Sequence, residues 1–254
     1  MKLLILAAGY ATRLYPLTLT QPKPLLPVAG KPMIEHVLDN LAGLPALDRI
    51  YVVTNAKFAG HFQSWADACH ARKNQLNFTI VNDGSTDDSN KLGAIGDLHL
   101  VLTRENIHDD LVVVAGDNLF SQPLSEFGDF CLAKNTPVLG LYDVGDLEQI
   151  KKYNALSLDA EGRILFFEEK PNHPQSTLTG IALYFYPQAV LPLIHQYVAE
   201  GNNPDQPGRL IQWLYPRIPV HTWKVPGLWF DIGSRETLLE ADLIFSKLLR
   251  PSKT

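Results

Sequence analysis

The sequence of 254 residues contains little sulfur, with two cysteines and two methionines, and it has no apolar run long enough to span a bilayer. Cys69 and Cys131 lie far apart and lack the paired spacing of a metal site, so we expect reduced thiols. The eight histidines are scattered, without the helical spacing of a zinc site. Low-complexity tracts are absent as well. The composition is that of an ordinary globular protein.

An excess of basic residues is also missing. Lysine and arginine number 22 against 27 aspartate and glutamate, which gives a formal charge of -5. A general nucleic-acid binder would present a basic face, so that class is disfavoured. A local basic pocket for a small anion stays compatible with this charge.

The first apolar run, residues 3–8, ends in small residues and is followed by one arginine. A secretory signal would need an apolar region of about 7–15 residues. This run is shorter, and the segment after it is rich in prolines and cations. The alternative is a buried first strand that opens into a phosphate-binding loop, and it implies a cytoplasmic protein.

Short apolar runs alternate with amphipathic segments in the first half of the chain. Continuous apolar strands separated by helices indicate a parallel sheet covered on both faces, which binds ligands at the carboxyl ends of its strands. The predicted strands are 3–8, 49–54, 78–81 and 111–115, and the predicted helices are 33–44, 58–72 and 93–105.

The pattern becomes mixed after residue 137, without a Gly-, Ser- or Pro-rich linker. We therefore predict one continuous α/β domain. Strands are expected at 137–144, 155–158, 164–168, 179–186 and 221–225, and helices at 188–200 and 235–249.

Small residues follow the first strand. Ala8, Gly9 and Ala11 leave backbone N–H groups accessible to a phosphate or a base. Arg13 follows, and Lys23 lies in the proline-stiffened PKPLLP stretch, so two cations flank the bare loop. Neither the P-loop pattern nor GxGxxG is present. A tight turn with two surface cations is the alternative.

Two acidic motifs follow strands. Asp117 and Asn118 end the VVVAGDN stretch at the sheet edge, where a carboxylate is placed to bind Mg²⁺. Asp231 lies in an aromatic strand, and Ser234 after it is a candidate N-cap for the last helix. Each motif alone also fits a simple turn.

A third polar motif, FFEEKP, runs from an apolar strand into Glu168, Glu169 and Lys170 and is stopped by Pro171. Taken alone, it fits a solvated strand end.

The motifs AAGYATRL, PKPLLPVAGKP, GDN, EEKP and WFDIGS occur in an order that resembles the sugar-phosphate nucleotidylyltransferases over residues 3–241. The resemblance implies a Rossmann-like, GT-A type, mixed and mainly parallel sheet between helices. It also implies a single nucleotidyltransferase domain over 1–254, with a nucleotide-binding half at about 1–136 and a sugar-phosphate half at about 137–254. One departure is that Ala11 replaces the second glycine of the family's G-x-G-T-R stretch.

The implied reaction joins a nucleoside triphosphate (NTP) to a sugar 1-phosphate and releases pyrophosphate. In this family Arg13 would grip the β- and γ-phosphates, and Lys23 would lie near the α-phosphate. Asp117 and Asp231 would share one Mg²⁺. All four are therefore expected to be catalytic.

The resemblance assigns the acceptor to Glu169, Lys170 and Gly180. Lys170 would hold the sugar phosphate, Glu169 would accept hydrogen bonds from sugar hydroxyls, and Gly180 would let the backbone approach the sugar.

The base would lie against Leu6, Ala8 and Gly9, with the turn at Asn82 and Gly84 reading its edge. The amide of Asn82 can donate and accept, which suits uracil, thymine or cytosine. A pyrimidine triphosphate is therefore expected.

Three alternatives stay open: a cytidylyltransferase for a non-sugar phosphate such as phosphocholine, a nucleotide-sugar sensor without turnover, and a GT-A glycosyltransferase. The sensor is disfavoured because all the expected phosphate and metal residues are present. The sequence points to no nucleic-acid or membrane partner, and it leaves association into a homo-oligomer open.

Overall fold

The computed structural model describes residues 1–72 and 77–249 of the predicted domain. Its strands are β1 (Lys2–Leu6), β2 (Pro27–Val28), β3 (Lys31–Pro32), β4 (Arg49–Thr54), β5 (Phe78–Asn82), β6 (Leu111–Ala115), β7 (Asn118–Phe120), β8 (Val138–Asp143), β9 (Asn154–Leu158), β10 (Ile164–Glu169), β11 (Leu178–Tyr186), β12 (His221–Lys224) and β13 (Trp229–Asp231). Its α-helices are α1 (Met33–Asn40), α2 (Ala59–Arg72), α3 (Ala94–Arg104), α4 (Ser125–Lys134), α5 (Leu147–Ile150), α6 (Leu191–Ala199), α7 (Gly208–Leu214) and α8 (Arg235–Leu248).

Seven strands form the central sheet in the order β12-β8-β11-β6-β1-β4-β5. The pairs β6–β1, β1–β4, β4–β5 and β8–β12 are parallel, whereas β11 is antiparallel to both of its neighbours. Three two-stranded ribbons, β2–β3, β7–β13 and β9–β10, lie outside this sheet. The predicted mixed, mainly parallel sheet is confirmed.

Both faces of the sheet are buried. Leu3 and Ile5 of β1 pack in one apolar cluster with Phe62 of α2 and Phe127 of α4. Leu4, on the opposite face, packs in another cluster with residues of α3, α6 and α7. This double burial explains why the inner strands are continuous apolar runs rather than alternating ones.

A third, smaller apolar cluster lies apart from the two faces and brings distant parts of the chain together. Its buried members are Leu14, Leu26, Val28, Met33, Leu119, Ile232, Ala241 and Phe245. The cluster joins the loop after β1 to the β7–β13 ribbon and to α8. This arrangement positions the charged residues described below.

The strands 49–54 and 111–115 occur with the predicted bounds, and the other predicted elements are shifted at one end or both. The first predicted helix is shorter than expected, because it ends at Asn40 rather than at residue 44. The predicted helix 188–200 begins with a 3-10 turn over Gln188–Val190. Helices α4, α5 and α7 are absent from the sequence-based prediction. Within the described residues, no helix is long and apolar enough to cross a membrane.

Candidate functional site

The carboxyl ends of the parallel strands form the floor of the site. The amide N–H of Gly116 donates to the Leu6 carbonyl at 2.9 Å, which joins the loops after β6 and β1. The Asn55 side chain, fully buried after β4, donates to the Ala8 carbonyl at 2.9 Å. A Cβ added at Gly9 would meet no atom within 4 Å, so the backbone here faces open space.

Arg13 lies in a 3-10 turn, Thr12–Leu14, that Ala11 starts in the left-handed conformation with φ 47°. An L-residue other than glycine loses about 1–2 kcal/mol in this conformation. Ala11 therefore takes the left-handed conformation that suits glycine, at a cost in conformational free energy. The Thr18 hydroxyl donates to the Ala11 carbonyl at 2.8 Å and supports this turn.

Each of the four predicted catalytic charges lies within three residues of a member of the third apolar cluster. Arg13 precedes Leu14, Lys23 lies three residues before Leu26, Asp117 two before Leu119, and Asp231 directly before Ile232. Packing of these neighbours holds side chains that are up to 218 positions apart in sequence at one place.

The third cluster itself is anchored by α8. The Ser234 side chain accepts from the Thr237 N–H in a capping box, which confirms Ser234 as the N-cap. Asp242 of α8 accepts from the Ala29 N–H at 2.7 Å, and Phe245 packs in the cluster. Helix α8 therefore fixes the segment after β1 that contains Lys23 and Ala29.

Lys23 forms an ion pair with Asp117, and both side chains are largely shielded from solvent. Asp231 of β13 pairs with Asn118 of β7, and the N–H of Ile232 donates to the Asp117 carbonyl at 3.4 Å. The structure therefore brings the two predicted metal carboxylates together across a two-stranded ribbon.

The Asp231 carboxyl is in an unfavourable place for a negative charge. Burial raises its pKa above the ordinary value, and the charge of Asp117 raises it further, whereas Lys23 and Arg13 lower it. The Arg13 guanidinium lies beside this strand end: a Cβ added at Gly233 would be 3.5 Å from both of its terminal nitrogens. Two anions and two cations thus converge here.

The acidic pair has the donor chemistry that Mg²⁺ requires. Carboxylate oxygens are hard ligands, and Mg²⁺ commonly takes one or two of them together with water and substrate phosphates. Among the residues that the structure describes, no group of three or more His, Cys, Asp or Glu forms a metal site. Asp117 and Asp231 fit a metal shared with a phosphate substrate, because a dication would offset their mutual repulsion.

Tyr153 connects the predicted acceptor residue Lys170 with strand β13, which carries Asp231. The N–H of Lys170 donates to the Tyr153 carbonyl at 2.7 Å, and Lys170 itself is left-handed with φ 50°. The Tyr153 ring lies 5.4 Å from the Trp229 ring of β13. Burial raises the pKa of the Tyr153 phenol, and so does the charge of Asp231, while Arg13 lowers it.

Gly180 is held by the Asn154 side chain. The amide of Asn154 donates to the Gly180 carbonyl at 2.8 Å and accepts from the Gly180 N–H at 2.7 Å. A Cβ at Gly180 would approach the Leu139 side chain to 2.4 Å, so glycine is required by the packing here. Asn154 also pairs with Glu169 in the β9–β10 ladder. Asn154 therefore connects Gly180 with the strand that carries Glu169.

The Glu169 carboxylate is mostly buried. Its Oε2 atom has no hydrogen-bond partner among the described residues, and it packs so close to Gly208 of α7 that a Cβ there would be 2.3 Å away. Burial raises the pKa of Glu169, while Lys170 and Arg209 lower it. An acceptor atom buried without a donor is suited to a ligand hydroxyl.

The predicted base-reading turn follows β5. The Gly84 N–H donates to the Asn82 Oδ1 at 2.9 Å, and Gly84 has φ 81°. Tyr10, in the loop after β1, is buried, and its hydroxyl lies 3.1 Å from the Ser85 Oγ. The turn therefore packs against the loop after β1.

Three residues that organise the site escaped prediction from the sequence: Asn55, Asn154 and Tyr153. Each acts through backbone contacts to a predicted residue, and these contacts join segments far apart in the chain. The only local signal for Asn55 is an amide directly after an apolar strand.

The model of the family described as nucleotidyl transferase matches residues 2–247. The chain belongs to the nucleotidyl transferase family. Bifunctional protein GlmU of Methanocaldococcus jannaschii is 26% identical over 245 residues, which cover 95% of this chain and 53% of that protein. A protein of Sulfolobus acidocaldarius that is provisionally named mannose-1-phosphate guanyltransferase is 29% identical over 248 residues, covering 98% of this chain and 64% of that one.

Among solved structures, UDP-glucose pyrophosphorylase complexed with UDP-glucose superposes with a TM-score of 0.80 at 22% identity, covering 97% of this chain and 98% of that one. The resemblance to sugar-phosphate nucleotidylyltransferases and the Rossmann-like fold are confirmed. The chain spans about half to two thirds of the length of the curated relatives named here. The names differ in nucleotide and sugar between the guanyltransferase for mannose 1-phosphate and the UDP-glucose pyrophosphorylase.

Proposed function

We propose that this member of the nucleotidyl transferase family joins a nucleoside triphosphate to a sugar 1-phosphate, giving a nucleoside diphosphate sugar and pyrophosphate. The observation that carries the proposal is the convergence of Arg13, Lys23, Asp117 and Asp231 at one end of the sheet. Two cations beside two carboxylates suit a reaction between two polyphosphate or phosphate anions.

The reaction requires alignment more than acid-base chemistry. The attacking oxygen belongs to a phosphate and is already anionic at neutral pH, so no general base has to activate it. Arg13 binds the β- and γ-phosphates, and Lys23 stabilises charge at the α-phosphate as the new bond forms. Positioning and electrostatics of this kind account for most of the catalysis in phosphoryl transfer.

We assign Mg²⁺ to Asp117 and Asp231. The family typically uses a divalent metal, and the pair of carboxylates fits one on its donor chemistry. When bound, the ion would supply Lewis-acid stabilisation of phosphate charge. Lys23 is paired with Asp117 in this structure. With Mg²⁺ on Asp117, the Lys23 ammonium would be available to the α-phosphate.

The acceptor is assigned to the half of the chain after residue 136. Lys170 holds the phosphate of the sugar, and the donor-free Oε2 of Glu169 accepts from a sugar hydroxyl. Gly180, next to them, presents backbone that Asn154 has fixed. The half at about 1–136 holds the nucleotide. We place the reaction in the cytoplasm, where nucleoside triphosphates are made.

We further propose a pyrimidine base, with UTP, dTTP or CTP preferred over ATP and GTP. The Asn82 Oδ1 already accepts from Gly84, so the group that Asn82 would offer to a base is its N–H₂, which can donate to a ring carbonyl. Leu6 and Gly9 would form the wall on the other side. A purine triphosphate is the competing outcome, because one relative bears a guanyltransferase name.

The substrate proposal predicts that pyrophosphate is released only when an NTP and a hexose 1-phosphate are both present with Mg²⁺. The measurement is a matrix of the four NTPs and dTTP against hexose 1-phosphates and phosphocholine, with pyrophosphate as the readout. Preference for ATP or GTP would contradict the base assignment. Turnover confined to phosphocholine would replace the sugar by a non-sugar phosphate, and binding without turnover would make the chain a sensor.

Because each cation is assigned to one substrate, we expect each variant to raise the KM of a different substrate. Arg13→Ala should raise the KM for the NTP, and Lys170→Ala should raise the KM for the sugar 1-phosphate. A hydrogen bond to a charged group contributes about 1.5–3 kcal/mol, so each KM should rise about 10- to 100-fold. Lys57→Ala is a matched control, because Lys57 is assigned to neither substrate and its ammonium lies over the Phe58 ring at 4.9 Å. A rise in the NTP KM alone for Lys170→Ala would show that the acceptor site is elsewhere.

A further inference from the structure

One buried acid lies outside the reaction just described. Asp97 is in the first turn of α3, and its N–H donates to the Gly93 carbonyl at 2.8 Å. The residue is only 5% exposed, and its Oδ1 has no hydrogen-bond partner among the described residues. A buried carboxylate in this state is costly unless it is neutralised or paired.

The group that faces Asp97 is another carboxyl. Asp83, in the turn after β5, lies within hydrogen-bond reach of the Asp97 side chain. The Asp83 oxygens also accept from the Ser85 N–H at 2.7 Å and from the Ser85 hydroxyl at 2.8 and 2.9 Å. Ser85 is 2% exposed and contacts the Tyr10 hydroxyl.

Two acceptor groups in contact attract each other only if one of them carries a proton. We propose that Asp97 is retained as the carboxylic acid and donates this proton to Asp83, which makes it a positioning residue for the turn that reads the nucleotide base. Asp83 connects it to that turn directly, since Asp83 lies between Asn82 and Gly84 and its own N–H donates to the Thr54 carbonyl at 2.9 Å. This inference rests on the proposed function, in which Asn82 and Gly84 contact the base.

The surroundings favour the neutral form of Asp97. Burial raises its pKa to about 8, with the charge of Asp83 and the hydrogen bond to Asp83 as further causes. The neighbouring titratable groups are a tyrosine and two histidines. The Tyr10 phenol contacts Ser85, which in turn donates to Asp83. His99, two residues along α3 from Asp97, packs edge-on against His195 of α6. Asp83 is the one charge acting on Asp97 among the described residues.

The test is the KM for the NTP as a function of pH, measured from about pH 7 to about pH 9.5, since a one-proton link raises KM by at most about tenfold per pH unit above the pKa. In the wild type, KM should be level and then rise above about pH 8, with kcat unchanged. Asp97→Asn keeps a donor without a titrating proton, so its KM should stay level across this range. Asp97→Leu, which has no donor, should show a raised KM at every pH.

A second readout does not depend on activity. The ordinary pKa of Asp is 3.8, and that of folded Asp97 is about 8. The folded protein therefore keeps a proton that the unfolded chain loses, so stability falls as pH rises between these values and is level above them. The thermal midpoint of Asp97→Asn should exceed that of the wild type by a margin that grows from pH 5 to pH 8. Asp87→Asn, a fully exposed acid of the same loop, should follow the wild type.

Identical pH profiles of KM and thermal midpoint for the wild type and Asp97→Asn would overturn the inference. So would a lower midpoint for Asp97→Asn that EDTA reproduces in the wild type, because a cation would then lie between the two acids. If the variant does not fold, the infrared carbonyl band of a protonated carboxyl should still disappear from the wild type on titration through about pH 8. Absence of this band would contradict the proposal.

Absence of turnover in the wild type with every substrate pair would instead refute the proposed function.

Discussion

Asp231→Asn is expected to slow pyrophosphate release about a thousandfold while raising the thermal midpoint of the metal-free protein. The activity falls because one of two metal carboxylates is lost, and a bound metal contributes several kcal/mol to such reactions, at 1.36 kcal/mol for each factor of ten. The stability rises because the Asp231 carboxyl is buried beside Asp117, and both effects raise its pKa. A neutral amide of the same shape removes that penalty.

Asp117→Asn should be equally inactive without the gain in stability, because Lys23 loses its ion-pair partner. Both variants are measured by initial rates over a range of Mg²⁺ concentrations and by thermal unfolding in EDTA. Asp129→Asn is the control, since that acid is exposed on α4. Full activity of either site variant, or of the wild type in EDTA, would remove the metal from the account.

Lys23→Ala should lower kcat about 100- to 1000-fold, the range found when one donor to a developing transition-state charge is removed. The NTP KM should change little, because Arg13 retains the β- and γ-phosphates. The Lys23 side chain is only 11% exposed beside the Asp117 side chain, which is 26% exposed. Its loss removes the ion-pair partner of Asp117 and one of the two cations that act on Asp231.

The same variant has a structural signature. In EDTA its thermal midpoint should lie below that of the wild type, and Mg²⁺ should raise it by more than it raises the wild type, because the cation replaces the missing ammonium. Lys31→Ala is the matched control, since Lys31 pairs with Asp39 at the surface at 2.6 Å. Unchanged kcat with a raised NTP KM would mean that Lys23 only binds substrate.

The strands 49–54 and 111–115 could be predicted from the sequence because each contains an unbroken apolar run, at residues 50–53 and 111–115. Their parallel arrangement follows from the helices between them. Helix α4 could not be predicted, because Gly128 and three acidic or polar residues interrupt its apolar pattern. Gly128 is needed there for packing, since a Cβ would approach Pro45 to 2.3 Å.

The candidate site was also predictable only in part: its charged residues could be found from the sequence, but their contacts could not. Arg13, Lys23, Asp117 and Asp231 stand out locally as charges next to strands, loops and prolines. Nothing local shows that Asn118 and Asp231 pair across the β7–β13 ribbon, or that Ile232 and Leu14 share one apolar cluster. Asp97 reads as an ordinary acid in the first turn of a helix, and only the folded chain places it against Asp83.

The most direct test of the account is the stoichiometry of the products. With Mg²⁺, a pyrimidine triphosphate and a hexose 1-phosphate, ³¹P NMR should show pyrophosphate and a nucleoside diphosphate sugar forming in equal amounts, and both should form about a thousandfold more slowly in the Asp231→Asn variant. Release of phosphate or pyrophosphate that continues without the sugar phosphate, and without a nucleoside diphosphate sugar, would contradict the account.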